Sequence, residues 1–197
     1  MTMHSDVRDF HIAFGLPVAE IPGLPDADQR ALRRKLLAEE HQEYHESEDT
    51  NDFVNLAKEL ADILYIINGT LVVYGLPEHD PLTILFGNGV PGFPTGVLAH
   101  SRQTRRDEIT KAYDAYVAAE EADDLARIAA TLRQLTDAVF TCSYTYNIPL
   151  LQVFTEVHRS NLAKLVDGQV LRRADGKVLK PESWTPANIA PILFPQT

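Results

Sequence analysis

Two short acidic runs carry most of the chemistry in this chain: Glu39-Glu40-His41-Gln42-Glu43 and Glu59-Leu60-Ala61-Asp62. On a helix, a spacing of three places Glu40 with Glu43, and Glu59 with Asp62, one turn apart on a common face. Each run therefore offers a carboxylate pair. Glu39 and Glu43 continue a stripe begun by Leu32 and Leu36, and Asp62 is embedded among Leu60, Ala61, Ile63, Leu64, Ile66 and Ile67. Clustered carboxylates in a partly apolar setting lose hydration and repel one another, so they take up protons or hold cations. Oxygen donors without a thiol prefer hard divalent ions, so Mg²⁺ is the expected occupant, with Mn²⁺ as a substitute and two or more ions per site. The alternative places these acids on solvated faces, paired with Arg33, Arg34, Lys35 or Lys58.

A second constellation is Glu156-Val157-His158-Arg159-Ser160-Asn161-Leu162-Ala163-Lys164, followed by Lys177 and Lys180. Arg159 and Lys164, beside the amide of Asn161, suit phosphate or sugar groups that metals do not reach. Equally, the run reads as an amphipathic helix with solvated charges around Phe154, Val157, Leu162 and Leu165. His41 and His45 have the i, i+4 spacing of a metal-binding pair, although such pairs are more often exposed. Cys142 reads as a small core residue. Trp184 reads first as a clamp over the bundle and second as a base-stacking residue.

Helical periodicity must position these groups. It predicts a helix over 27–47, a turn at Asp49 to Asp52 with N-cap chemistry, and a second helix with Leu56, Leu60, Ile63, Ile67 and Leu71 on one face. That helix ends near Tyr74-Gly75-Leu76-Pro77, and the short polar turn makes the pair an antiparallel hairpin that brings the two acid runs together. From Pro77 to Ser101 the prolines and glycines predict a long ordered loop or lid. Helical pattern resumes over 101–120 and 123–146, a second hairpin with Asp123 or Asp124 as its cap.

The hairpins form a degenerate repeat: Glu59 to Tyr65 matches Gln134 to Phe140, and Tyr74-Gly75-Leu76-Pro77 matches Tyr146-Asn147-Ile148-Pro149. The second copy has lost its acids, reading Gln134-Leu135-Thr136-Asp137 with Ala112, Tyr113 and Tyr116 opposite, so one active site per chain is expected. A further helix is expected over 149–166, then a small ribbon from 169–173 and 177–179 around Asp175-Gly176. The fold class is all-α: a four-helix-bundle core from two hairpins, an extra C-terminal helix and a small β-ribbon.

The chain has 197 residues, with 18 Lys and Arg against 28 Asp and Glu, a net charge of −10. That balance argues against duplex nucleic acid and an anionic membrane as partners. The single cysteine suits a reducing compartment, and the cytoplasm is expected. The start has no apolar signal-like run, and the most apolar stretch, 63–74, is too short and too interrupted to span a membrane.

Taken together, EExxE at Glu39 to Glu43 and ExxD at Glu59 to Asp62 resemble the all-α nucleoside triphosphate pyrophosphohydrolases, which include MazG-like enzymes, dimeric dUTPases and phosphoribosyl-ATP pyrophosphohydrolase. Val7-Arg8-Asp9-Phe10-His11 through Phe14-Gly15-Leu16-Pro17 is similar to the start of the phosphoribosyl-ATP pyrophosphohydrolase-like members. So are Phe154 to Leu165 and Asp175 to Lys180. The resemblance spans roughly 5–77 and 147–193, and implies a single domain over 1–197 with an inserted loop and hairpin at about 78–146. It implies Mg²⁺-dependent cleavage between the α and β phosphates, giving a monophosphate and pyrophosphate.

By the same resemblance Glu40, Glu43, Glu59 and Asp62 are metal ligands, Glu39 binds a further metal or orients water, and Asn161 and Lys164 contact substrate. A homo-oligomer, dimer or tetramer, is implied, with the second hairpin supplying bundle walls and part of a base pocket. The leading substrates are dUTP and dGTP. Phosphoribosyl-ATP is the alternative, and a non-catalytic nucleotide-binding regulator is a further one. A ferritin-like di-metal bundle is disfavoured, because it needs Glu-x-x-His where only Glu-x-x-Asp occurs.

Overall fold

The computed structural model describes residues 2–79, 102–166, 169–171 and 178–196. Six helices dominate: α1 (Met3–Ala13), α2 (Ala27–Thr50), α3 (Phe53–Tyr74), α4 (Arg102–Glu121), α5 (Leu125–Thr145) and α6 (Leu150–Leu162). Two short antiparallel strands follow, β1 (Leu165–Val166) and β2 (Gln169–Val170), and then a single turn, α7 (Ala190–Leu193). The all-α class with a small ribbon is what the sequence led us to expect. Among the described residues no helix is long and apolar enough to cross a membrane.

Local chemistry explains the hairpin that carries the acids. Asp26 caps α2 by accepting from the Gln29 N–H, and Asp52 caps α3 by accepting from the Asn55 N–H at 3.0 Å. Between them Asn51 takes a left-handed conformation, φ 57°, one of the few non-glycine residues that does so at little cost. The chain thus reverses within two residues. At the other end of α3, Gly75 has φ 63°, and a Cβ there would lie 2.5 Å from the Ile21 carbonyl oxygen, so only glycine closes this helix here.

The apolar helix α3 is buried on nearly every side, because α1, α2, α5 and α6 all pack on it. The second hairpin packs α4 on α5, then α5 against α3 and α4 against α2, completing the four-helix core. Leu37, Tyr44, Leu60, Ile67, Ile109, Tyr116, Leu132 and Val139 fill it. Glu120, fully buried, ties three helices at one end: it accepts from the Tyr74 hydroxyl at 2.6 Å and from Arg30 Nε at 3.1 Å.

Several expectations are corrected. The inward stripe of α2 is Arg33, Leu37, Tyr44, Ser47 and Glu48, one step round from the one anticipated; Leu32 is 45% exposed and Glu39 faces solvent. The antiparallel neighbour α3, and not hydrophobicity along α2 itself, selects that stripe. The last helix ends at Leu162, not 166, because Leu165 and Val166 leave it to pair with Val170 and Gln169. Helix α1 lies where no helix was anticipated; Thr2 and Ser5 form its capping box. The Leu179 N–H bonds the Leu171 carbonyl at 2.8 Å, but the expected turn at Asp175-Gly176 lies outside the described residues. So does the Gly/Pro stretch 81–100.

Candidate metal and substrate site

Antiparallel packing of α2 on α3 brings one carboxylate oxygen each from Glu40, Glu43 and Glu59 within 4.8 Å of one another. Glu59 is 1% exposed; its Oε1 accepts from Lys58 Nζ at 2.9 Å, and its Oε2, buried, meets no partner. The same lysine reaches Asp62 Oδ2 at 2.7 Å, so one ammonium is shared by two acids one turn apart. Glu39 stands apart from this group: its side chain is half exposed and 3.7 Å from Lys35 Nζ.

The electrostatics follow from too much negative charge in too little water. Burial holds the Glu40 carboxyl well above the usual range, and the charges of Asp62 and Glu59 push it the same way. Burial likewise raises Glu59 and Asp62, opposed in each by Lys58. Burial works against the Lys58 ammonium, but Asp62 and Glu59 outweigh it and raise its pKa. A buried carboxylate oxygen without a partner, in a set of acids that share one lysine, is a donor set short of positive charge. Hard oxygen donors at this separation fit a divalent cation such as Mg²⁺ or Mn²⁺.

Glu40, Glu43, Lys58 and Asp62 line a cavity of about 510 Å³. Arg33 lies seven residues before Glu40 on α2, and Gly69 seven after Asp62 on α3, so the groove runs about 10 Å from the acids to a second polar end. There the Arg33 guanidinium is buried, donating from Nε to Thr70 Oγ1 at 3.1 Å and from Nη2 to the Ile66 carbonyl at 2.6 Å. No carboxylate among the described residues pairs with it, and burial lowers it to about 10. His11, held neutral by burial with its pKa near about 4, donates from Nδ1 to the Pro17 carbonyl at 2.9 Å, leaving Nε2 as an acceptor. A Cβ on Gly69 would come within 2.6 Å of Arg33 Nη2 and 3.0 Å of His11 Nε2. The missing side chain is what lets both reach this end.

The opposite wall comes from α6 and the tail. Lys164 Nζ donates to Asn161 Oδ1 at 2.7 Å, and both residues line the cavity with Lys180 and Trp184. Burial, then Lys180, lowers the Lys164 pKa. Trp184 is the expected clamp, donating from Nε1 to the Ser160 carbonyl at 2.9 Å, and Lys180 Nζ lies 4.0 Å over its ring. Arg159 does not line the cavity; it grips Glu156 at 2.8 Å and the Pro186 carbonyl at 3.2 Å, fastening the tail. Lys177 lies outside the described residues.

Among the described residues, neither α4 nor α5 lines this cavity. Asp137, in the slot matching Asp62, faces His79 Nε2 at 2.8 Å and stands outside any group of three potential ligands found there. Sequence reasoning did not single out Phe10, His11 or Arg33 as site residues. The one available signal was Arg33 itself, a guanidinium with no acid one turn away on its own helix.

Residues 7–85 match the family model of phosphoribosyl-ATP pyrophosphohydrolase, a family of the MazG-like all-α nucleoside triphosphate pyrophosphohydrolase superfamily. The chain is also similar to Uncharacterized protein L479 of Acanthamoeba polyphaga mimivirus. The two are 26% identical over 179 residues, which covers 83% of this chain and 71% of the viral protein.

Proposed function

We propose that the protein is a divalent-metal-dependent pyrophosphohydrolase that converts a nucleoside or deoxynucleoside triphosphate to its monophosphate and pyrophosphate, with dUTP and dGTP as the leading substrates. The convergence of Glu40, Glu43 and Glu59, with one Glu59 oxygen buried and unpartnered, carries this reading. Glu40, Glu43, Glu59 and Asp62 would hold Mg²⁺. Bound there, the ion supplies charge neutralisation at the phosphate oxygens and lowers the pKa of the attacking water.

The chain's own groups divide the remaining work. Lys58 neutralises Glu59 and Asp62 until a cation arrives, and its partly exposed stem lets it swing aside. Lys164 and Lys180 present positive charge to phosphates from the opposite wall, and Asn161 orients Lys164 through its amide oxygen. With the triphosphate at the acids, the nucleoside extends about 10 Å along the groove, where Arg33 offers a donor and neutral His11 an acceptor. Both would act on hydrogen-bonding edges of the base. Glu39, turned to solvent against Lys35, has no part in this arrangement.

Pyrophosphate release from the NTPs, dNTPs and dUTP, with Mg²⁺ or Mn²⁺ and with chelator, tests the reading. Release that needs metal, favours one base and is lost in Glu43→Gln and Asp62→Asn, each still folded by circular dichroism, is expected. Release indifferent to chelator, or wild-type rates in both variants, refutes it. A second reading, phosphoribosyl-ATP as the substrate, is favoured by the family description matched at 7–85, and including that compound in the panel decides between them.

A further inference from the structure

We propose that His41 and His45 form a second metal site, for a borderline divalent transition ion such as Zn²⁺, in the seam between α2 and α4. The two Nε2 atoms lie 3.1 Å apart. Thr110 Oγ1, from α4, is 3.1 Å from His45 Nε2 and 3.5 Å from His41 Nε2, so three donor atoms from two helices close a triangle. For metal bonds of about 2.0–2.1 Å, the edge between neighbouring donors is about 3.0 Å in an octahedron and about 3.3 Å in a tetrahedron. The observed edges, 3.1–3.5 Å, lie on either side of the tetrahedral value and just above the octahedral one.

The rings are held in place before any ion arrives. His41 stacks on Tyr113 of α4 with centroids 4.2 Å apart and planes 11° from parallel, and His45 packs at 5.2 Å on Tyr44. Both imidazoles are half-buried, and His45 Nδ1 is buried without a partner. The Arg106 guanidinium, whose charge reaches both rings, is itself paired with Asp49. Without metal, the contact is a hydrogen bond between two rings, one Nε2–H donating to the other.

Donor chemistry separates this site from the acidic one. Imidazole nitrogens favour Zn²⁺, Ni²⁺ or Cu²⁺ over Mg²⁺, whereas the carboxylate set favours the hard ions. Neither histidine lines the catalytic cavity or joins the acidic group. A bound ion, completed by water, would pin the acid-bearing helix to the second hairpin. The inference stands on the histidine geometry alone and does not depend on the hydrolase reading.

The test is a Zn²⁺ titration of the wild-type protein in excess Mg²⁺, followed by the imidazole nitrogen resonances of each histidine. The Nε2 resonances of His41 and His45 are expected to move together and saturate at one equivalent. Either His45→Gln or His41→Gln should weaken Zn²⁺ binding by more than roughly tenfold, the loss that follows removal of even an outer partner of a metal site. Zn²⁺ shifts confined to other histidines, binding at the carboxylates only, or unchanged affinity in either folded variant would overturn the site.

Discussion

Replacing Glu59 by glutamine is expected to stabilise the metal-free protein and to remove its response to divalent ions. The carboxylate is 1% exposed, one oxygen has no partner, and Asp62 and Glu43 repel it. An unsatisfied buried polar group costs about 1–3 kcal/mol, and an amide of the same shape removes the charged part of that cost. Lost in exchange is the contact with Lys58, whose side chain is 37% exposed, a pair worth about 0.2–1 kcal/mol. The net gain is about 1–2 kcal/mol, or about 3–6 °C in Tm for a chain of this length.

The sign with pH follows from linkage. Burial raises the folded-state pKa of Glu59, so the folded protein binds the proton more readily than the unfolded chain does. The penalty is therefore absent below the ordinary glutamate range and grows as pH rises through the raised value. The advantage of the glutamine variant should vanish near about pH 4 and be complete near about pH 9. Thermal unfolding in chelator and in Mg²⁺ reads both effects: the wild type gains about 2.7 kcal/mol at a hundredfold excess over Kd, and the variant gains far less. A variant that melts at or below the wild type in chelator at alkaline pH, or that gains as much from Mg²⁺, would refute the reasoning.

Gly69→Ala places a Cβ 2.6 Å from Arg33 Nη2, so the guanidinium must shift; a loss of about 1–3 kcal/mol and a raised KM are expected, with the Mg²⁺ shift in Tm intact. An unchanged KM would show that Arg33 and His11 do not meet substrate. Asp137→Asn removes the charge facing His79 and should cost no more than about 1 kcal/mol, leaving Mg²⁺ stabilisation and pyrophosphate release as in the wild type. Loss of either would give the second hairpin a metal role. Burial pushes the Cys142 thiol up to about 12, so disulfide reagents at mildly alkaline pH should label it only on unfolding; rapid labelling of the native protein would contradict its placement in the core.

Much of the fold was legible because its signals are local. Asp52 and Gly75 mark the start and end of α3 from residue type alone, whereas α2 runs to Thr50, past the expected 47, so that Asp49 and Thr50 belong to the helix and the turn shrinks to Asn51 and Asp52. The i, i+3 spacing then puts Glu40 with Glu43, and Glu59 with Asp62, on shared faces. Which face of α2 turns inward was not legible, since its alternating Leu, Arg and Glu residues support two stripes one step apart, and only packing on α3 selects Arg33 and Leu37 over Leu32 and Glu39. Helix α1 escaped notice because only Val7 and His11 are buried along it, too few for an apolar stripe, and its packing is decided by α3 and α6.

The sequence by itself determined the hairpin, the two carboxylate pairs and the hard-cation chemistry they imply, because helical periodicity and capping act over a few residues. Tertiary structure decided which acids share a site and that Arg159 fastens the tail. It also decided that Arg33, His11 and Gly69 close the far end of the groove. Those outcomes depend on distances between residues far apart in the chain, which are set when the buried faces of α1, α3 and α6 pack together.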